Sequence, residues 1–352
     1  MSTPESPALD LLLRLSTIEG FTIRQLRRLQ AGSPLRLAGP PDVLPSTTLL
    51  EKGYDAVVSR VAGEQVDRIR NDCAKAGIQI IPAGSPEYPT RLLEIADAPL
   101  VLFRLGLSVD TDGGAAVVGS RAPTAPGKAF AKELSADLSA DGVVIVSGLA
   151  RGVDTAAHEG ALEGGGPTVA VLGCGVDVVY PPESGRLRER IRERGAIISE
   201  YAPGSAPVAW RFPARNRIVS GMTRATIVAE ASLRSGALIT ARLALDQGRE
   251  VMAVPGSPFF PHTAGSNRLL RDGAAPVTCA GDVLLALGRP PGPDPSTPEG
   301  KVVRYLRKAR HVEEIARGLR LPACDLLPLL LRMEQTNLIR KTAGNYYIRM
   351  TV

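Results

Sequence analysis

The sequence predicts an α/β protein built on a Rossmann-like, doubly wound, mostly parallel sheet, with a small helical SAM-like domain before it and a winged-helix domain after it. Three observations predict this. Between Ala115 and Ala275 one unit recurs: an apolar strand, a turn bearing Gly or Ser, then a helix. The strands are rich in β-branched residues and apolar on both faces, the mark of a parallel sheet covered from both sides. Beyond a Pro/Gly-rich run, three short helical stretches end in a hairpin.

From the amino terminus, residues 1–77 form the first unit. Leu9 to Leu13 begin an apolar stripe, Gly20 interrupts it, and Thr22-Ile23-Arg24-Gln25-Leu26-Arg27-Arg28-Leu29 resumes at helical spacing with Thr22 as N-cap. Two short helices around a glycine turn fit a helix-hairpin-helix or SAM-like module. The second unit, 78–288, opens with two flanking strands, Ile78–Pro82 and Leu100–Arg104. Strands are then expected at Ala115–Val118, Val143–Ser147, Thr168–Leu172, Ala196–Ser199, Thr226–Ala229, Val251–Val254 and Pro276–Cys279. Pro126–Ala140, Asp154–Glu163, Glu183–Arg194 and Gly236–Gln247 supply crossover helices. Residues 289–298 read as a linker by composition. In 299–352, helices are expected at Gly300–Lys308, Val312–Gly318 and Ala323–Gln335, with Ala343-Gly344-Asn345 turning the hairpin. The third helix, Cys324 to Leu331, is too apolar to read base edges. It fits partner docking or backbone contact.

The turns after the strands carry the functional signal. They read Gly119-Ser120-Arg121, Ser147-Gly148-Leu149-Ala150-Arg151-Gly152, Gly173-Cys174-Gly175 and Pro255-Gly256-Ser257. In an open α/β sheet these turns share one edge, where helix N-termini present N–H groups and partial positive charge. Several anion sites in a row suit a phosphate chain. Charge clustering agrees: residues 301–352 hold 11 Lys/Arg against 4 Asp/Glu, and Ser205–Ala275 hold 9 arginines against 4 acids. Arginine outnumbers lysine 35 to 7 throughout, so clustering says more than residue type.

Several classes are disfavoured. There is no G-x-x-x-x-G-K-[ST] loop and no G-x-G-x-x-G fingerprint at the first turn. Cys73, Cys174, Cys279 and Cys324 have no metal or disulfide spacing. No apolar run reaches the roughly 18–20 residues that span a bilayer, and Met1–Asp10 lacks the layout of a secretory signal. The chain is expected to be reduced and cytoplasmic. His158, His262 and His311 are too scattered for a triad, and His158 reads as helix packing. Glu200 and Glu230, at strand ends, are the acid/base candidates. Their structural role would be to orient arginines across the cleft.

Trp210-Arg211-Phe212-Pro213-Ala214-Arg215-Asn216-Arg217 interleaves three arginines with two aromatics, an arrangement suited to a single strand held by its phosphates. Asn216 either sits near the strand or caps a following helix. Trp210 and Phe212 either stack on bases or belong to the core. With aromatics at only 4%, backbone contact should dominate.

These motifs occur in a recognisable order. Tyr88-Pro89, Asp97-Ala98-Pro99 through Phe103, Gly119-Ser120-Arg121, Ser147 to Asp154, Pro181-Pro182-Glu183 and Ser199-Glu200-Tyr201 are followed by three more. Those are Phe212 to Arg217, Ser235-Gly236-Ala237-Leu238-Ile239-Thr240-Ala241 and Gly265-Ser266-Asn267-Arg268-Leu269-Leu270. Over about residues 80–290 the chain resembles the DNA-processing protein A (DprA/Smf) family. The resemblance implies a non-enzymatic protein of natural transformation that binds incoming single-stranded DNA, protects it, and loads RecA recombinase in the presence of single-strand-binding protein. It further implies a homodimer, no nucleotide cofactor, no metal and no membrane partner. It places the family's positive pocket on Gly119-Ser120-Arg121 and Arg215-Asn216-Arg217. With the other turns and the aromatic-arginine stretch, the expected DNA-binding set is Gly119, Ser120, Arg121, Ser147, Gly148, Gly173, Arg211, Phe212, Arg215, Asn216, Arg217, Ser235 and Gly236, with turn N–H groups assisting. Ala214 stands where family members place a lysine, and Arg211 is the candidate to compensate. Two other readings are a nucleoside-monophosphate phosphoribohydrolase and a transcription regulator. The first lacks its paired glycines after Glu230.

Overall fold

A computed structural model describes residues 7–17, 24, 63–290, 292–294 and 296–350. The expected helix at Thr22–Leu29 lies outside the described residues, as does most of the SAM-like unit. Of that unit, helices Pro7–Ser16 and Gly63–Ala76 are described, joined by an Arg70–Asp10 ion pair.

Nine strands form one sheet: β1 (Gln79–Pro82), β2 (Val101–Gly106), β3 (Ala115–Val118), β4 (Ile145–Ser147), β5 (Thr168–Leu172), β6 (Ala196–Ser199), β7 (Ala225–Val228), β8 (Glu250–Ala253) and β9 (Ala275–Pro276). Their order is β1-β2-β6-β5-β4-β3-β7-β8-β9. The seven strands from β6 to β9 are parallel. β1 and β2 extend one edge antiparallel, with Phe103 opposite Ser199 where β2 meets β6. The flanking strands expected from the sequence are therefore present and both lie at one edge.

Alternation along the strands builds two cores. Ala116, Val118, Val146 and Val228 face one side. Ala115, Val117, Ile145 and Ile227 face the other. Both faces are dry, which is why the strands read as continuous apolar runs. Small residues Ala156, Ala157 and Ala161 of the helix Val153–Gly164 are fully buried against the second face.

This order fixes where a ligand can sit. From β3 the chain winds outward through β4, β5 and β6, then crosses back to β7, β8 and β9 on the other side. The loops after β3 and β7 diverge to opposite faces, leaving a crevice at the switch point.

Beyond the linker, helices Pro298–Tyr305, Val312–Leu319 and Ala323–Gln335 accompany a three-stranded antiparallel sheet of β10 (Arg310–His311), β12 (Tyr346–Arg349) and β11 (Ile339–Thr342). Leu326, Leu329, Leu330 and Met333 of the third helix enter this module's core, whereas Leu327 and Leu331 are exposed. The apolar character that argued against base reading is thus half core and half surface. The module is tied to the helix Ala125–Ala140 by ion pairs. Arg304 and Arg307 converge on the buried Asp137 at 3.1 and 2.6 Å, Arg304 also meets Glu133 at 3.0 Å, and Arg349 pairs with Asp141. Three of the eleven cations in this segment therefore tie the module to that helix. Among the described residues, no helix is long and apolar enough to cross a membrane.

Candidate nucleic-acid interface

At the switch point lies a cleft of about 450 Å³. Its walls come from the turns after β3, β4 and β7 and from the helix Arg211–Gly221, through Gly119, Ser120, Arg121, Gly148, Phe212, Arg215, Asn216, Ser235 and Gly236. A smaller recess of about 70 Å³ continues past Phe212 to Gly173 and Tyr180. Nine of the thirteen residues expected at the DNA site are thus brought to one cleft, and Gly173 borders its extension.

The Trp210–Arg217 stretch is helical from Arg211, so Asn216 lies inside a helix rather than capping one. Helical spacing then turns Arg217 away from the face that carries Arg211 and Arg215, and the three side chains end differently. Arg215 turns inward and is buried; it donates from Nη1 to the carbonyls of Gly148 (2.6 Å) and Val171, and from Nε to Asn216 Oδ1 (3.2 Å). Gly148 permits this, since a Cβ there would sit 2.4 Å from the guanidinium. Arg217 is not brought into the cleft. It is buried in a two-pronged ion pair with Glu200 (2.9 and 2.6 Å) and reaches Asp97 at 3.3 Å. Burial opposes its charge, but Glu200 more than offsets that and the net shift is upward. Arg211 lies over the rings of Tyr201 (4.5 Å) and Trp210 (5.5 Å) and donates to Ala206 O.

Arg121 differs from all three. It is exposed on the rim, and among the described residues its guanidinium has no hydrogen bond or ion pair. Its neighbour is the Phe212 ring at 5.7 Å, which in turn stacks on Tyr180 at 5.2 Å. Phe212 is therefore neither bare nor core: its ring contacts both Arg121 and Tyr180, the latter a partner the sequence did not mark.

The turn amides expected to hold phosphate are largely committed within the protein. Ser120 N donates to Glu230 O (2.7 Å), and Ala122 N to Ser120 Oγ (3.1 Å). Gly148 and Ala150 N–H groups donate to the buried carboxylate of Asp154. Ala237 N donates to Ser235 Oγ (3.3 Å). Ser147 is fully buried and donates to Val117 O at 2.6 Å, so its hydroxyl faces the strand β3 rather than the cleft. Side chains thus cap these turns, and positive potential at the cleft comes from Arg121, Arg215 and the helix dipoles. The second turn is held in an uncommon shape. Leu149 has φ 54° and Gly152 φ 81°; a Cβ at Gly152 would collide with Ser120 O at 2.3 Å, the acceptor of Val153 N.

Neither glutamate is placed for acid/base work. Glu230 is buried and accepts from Thr124 N (2.9 Å) and Thr124 Oγ1 (2.5 Å), clamping the first turn to β7, while Glu200 holds Arg217. Only Glu200 fits the arginine-orienting role. Burial pushes Asp154 upward against the opposing charge of Arg215, and pushes Arg215 downward in return. His158 is a buried packing residue, as expected, set between its helix and β5. Thr168 Oγ1 donates to Ile145 O at 2.7 Å, so it accepts from the His158 Nδ1–H at 2.7 Å. Burial, with the nearby charge of Arg215, lowers this imidazole to about 3 and keeps it neutral. No group of three or more potential metal ligands occurs among the described residues.

The fold and the site thus define an α/β protein with a mostly parallel nine-stranded sheet and a cleft at its switch point, with Arg121 and Arg215 in the lining. Residues 79–288 match the family model described as DNA recombination-mediator protein A, and the chain belongs to that family of recombination mediators, which are not enzymes. The DNA processing protein DprA of Streptococcus pneumoniae is 47% identical over 198 residues, covering 56% of this chain and 70% of its own. Its crystal structure superposes with a TM-score of 0.66, covering 80% of this chain and 98% of that one. A putative DNA processing protein DprA of Mycobacterium tuberculosis is 35% identical over 350 residues, covering 91% of this chain and 90% of its own. The DNA processing protein A of Helicobacter pylori, whose structure describes a single-stranded DNA binding mode, is 30% identical; it covers 60% of this chain and 95% of that one at a TM-score of 0.55.

Proposed function

We propose that this protein carries single-stranded DNA by its sugar-phosphate backbone along the switch-point cleft and delivers it to a RecA-type recombinase during natural transformation. The observation that supports this best is Arg121, an exposed guanidinium at the cleft rim whose five N–H donors have no hydrogen-bond acceptor among the described residues. Arg215 supplies a second positive charge from beneath the floor, and Asn216, Ser120, Ser235 and Gly236 line the path. Family membership and the single-stranded DNA binding of the Helicobacter pylori protein support the same ligand. In this reading Arg217 is scaffold, and the contact made by lysine in other members is missing at Ala214.

A homodimer would set two clefts on one strand and raise avidity. Single-strand-binding protein is the expected competitor for the strand. The carboxyl-terminal module, read as a winged helix, serves partner docking, and the amino-terminal unit is read as SAM-like. Arg121→Ala tests the assignment in a titration with labelled single-stranded oligonucleotides of different sequence. Affinity should fall for all of them, and the log–log salt slope should shrink by about 0.7, one phosphate contact. An unchanged affinity would remove Arg121 from the site.

A further inference from the structure

The loop after β8 ends on the same sheet edge as the cleft and carries two rings in solvent. Phe259 is 88% exposed and Phe260 58%. Exposure of that size on adjacent aromatics needs a reason in a chain with so few of them. The loop is also held in place. Phe260 N donates to Ser257 O (3.2 Å), and Thr263 Oγ1 donates to Ser257 O (2.7 Å). Asn267 exchanges two hydrogen bonds with Gly256, at 3.0 and 2.8 Å. Pro258 and Pro261 bracket the pair.

Its anchorage joins it to the cleft wall. Gly265 N donates to Ala231 O (2.7 Å), Ala231 N donates to Ser266 Oγ (2.9 Å), and the backbone of Gly265 approaches Ser232 so closely that a Cβ would lie 2.5 Å from its carbonyl oxygen. Ser232 lines the cleft. Phe260 and Gly265 are five positions apart, a reach of at most roughly 18 Å. In the segment that carries the cleft residues Ser232 and Ser235, Arg234 is exposed and has no ion pair among the described residues.

The rings at and beside the cleft already have partners. Phe212 contacts Arg121 and stacks on Tyr180, and Trp210, outside the cleft lining, carries Arg211. A strand whose backbone follows the cleft would therefore find its open aromatic faces on the β8 loop. We propose that Phe259 and Phe260 form a stacking site for the bases of a single-stranded nucleic acid leaving the cleft toward β8. The site is sequence-tolerant, because every base has a π-face. A pre-ordered loop spares most of the ordering cost of binding. The inference rests on the backbone-binding reading above.

The test compares the full-length protein with F259A/F260A, titrated with a labelled oligothymidylate and with an abasic oligomer of equal length. The variant should bind oligothymidylate about tenfold or more weakly. It should bind the abasic chain as the parent does, with an unchanged salt slope because no charge is lost. F259W/F260W should restore the difference between the two ligands. Equal affinity of parent and variant for oligothymidylate would overturn the stacking site while leaving the cleft reading intact. So would an equal loss on both ligands, or a drop in molecular mass by light scattering, which would assign the rings to a second copy of the chain. A parent protein that binds neither oligomer would instead overturn the cleft reading itself.

Discussion

Arg121 and Arg217 both come from motifs that the sequence marks for phosphate contact, yet the fold uses them oppositely. Arg217 is buried, with Glu200 and Asp97 absorbing its donors. Arg121 is exposed, with an aromatic ring behind it and no acceptor in front among the described residues. An arginine whose donors are all spent internally stabilises the fold and contributes little to a ligand. One that is held by its stem and left unsatisfied does the reverse. Arg215 is intermediate: its hydrogen bonds are internal, but its charge lies under the cleft.

The largest effect should come from breaking the closed arginine. Arg217→Ala leaves the Glu200 carboxylate without its counter-ion in a half-buried site and should cost about 3–5 kcal/mol. Urea unfolding monitored by circular dichroism would read this as a lowered midpoint. A loss below about 1 kcal/mol would show that Glu200 re-solvates freely, and the contrast with Arg121 would then weaken.

The next effect is a pH dependence. His158 is lowered to about 3 in the fold, against an ordinary value near 6.5. Below pH 6.5 the unfolded chain takes up a proton that the native protein refuses. Its contribution is therefore fully present above pH 6.5 and is lost as pH falls toward 3. Between pH 6.5 and 4.5 the loss from this residue should reach about 2–3 kcal/mol. His158→Gln isolates it: the slope of unfolding free energy against pH should become shallower by up to about 1.4 kcal/mol per pH unit. The two slopes should coincide above pH 7.

A third class of arginine joins parts of the molecule. Asp137→Asn removes the shared partner of Arg304 and Arg307 and should weaken docking of the carboxyl-terminal module by about 1–2 kcal/mol. Proteolysis within residues 289–298 would accelerate, more so in the variant than in the parent at low salt. If the rates match, that module is held by its apolar contacts instead.

Most of the sheet was legible in the sequence because parallel strands buried on both faces read as short β-branched runs. Ala115–Val118, Thr168–Leu172 and Ala196–Ser199 fall where those runs predict. The cleft was legible as a set of turns, since Gly119, Ser120, Arg121, Gly148, Ser235 and Gly236 share one switch point whatever their side chains do. What could not be read was direction. No helix was expected over Trp210 to Arg217, because Pro213 and three arginines obscure helical periodicity. Once the segment is a helix, Arg215 and Arg217 cannot both face a ligand that Asn216 also borders. Asp154, near its helix start, reads from the sequence as an acceptor of free N–H groups, and it takes those of Gly148 and Ala150, which the turn reading had reserved for phosphate. Tyr180 gave no signal, because its role depends on the distance of its ring from Phe212 and not on any local pattern.

The smallest expected change to the fold is also the sharpest test of the comparison. Arg121→Ala removes no hydrogen bond or ion pair between described residues, only a guanidinium resting 5.7 Å from the Phe212 ring centroid. Its unfolding free energy should stay within about 0.5 kcal/mol of the parent's, as for most surface substitutions. Arg121→Lys keeps the charge but loses the planar fork that grips two phosphate oxygens at once. It should therefore retain the salt slope while recovering only part of the oligonucleotide affinity. If lysine restored affinity in full, the rim would act as a point charge; if Arg121→Ala destabilised the fold as much as Arg217→Ala does, the distinction between scaffold and ligand arginines would fail.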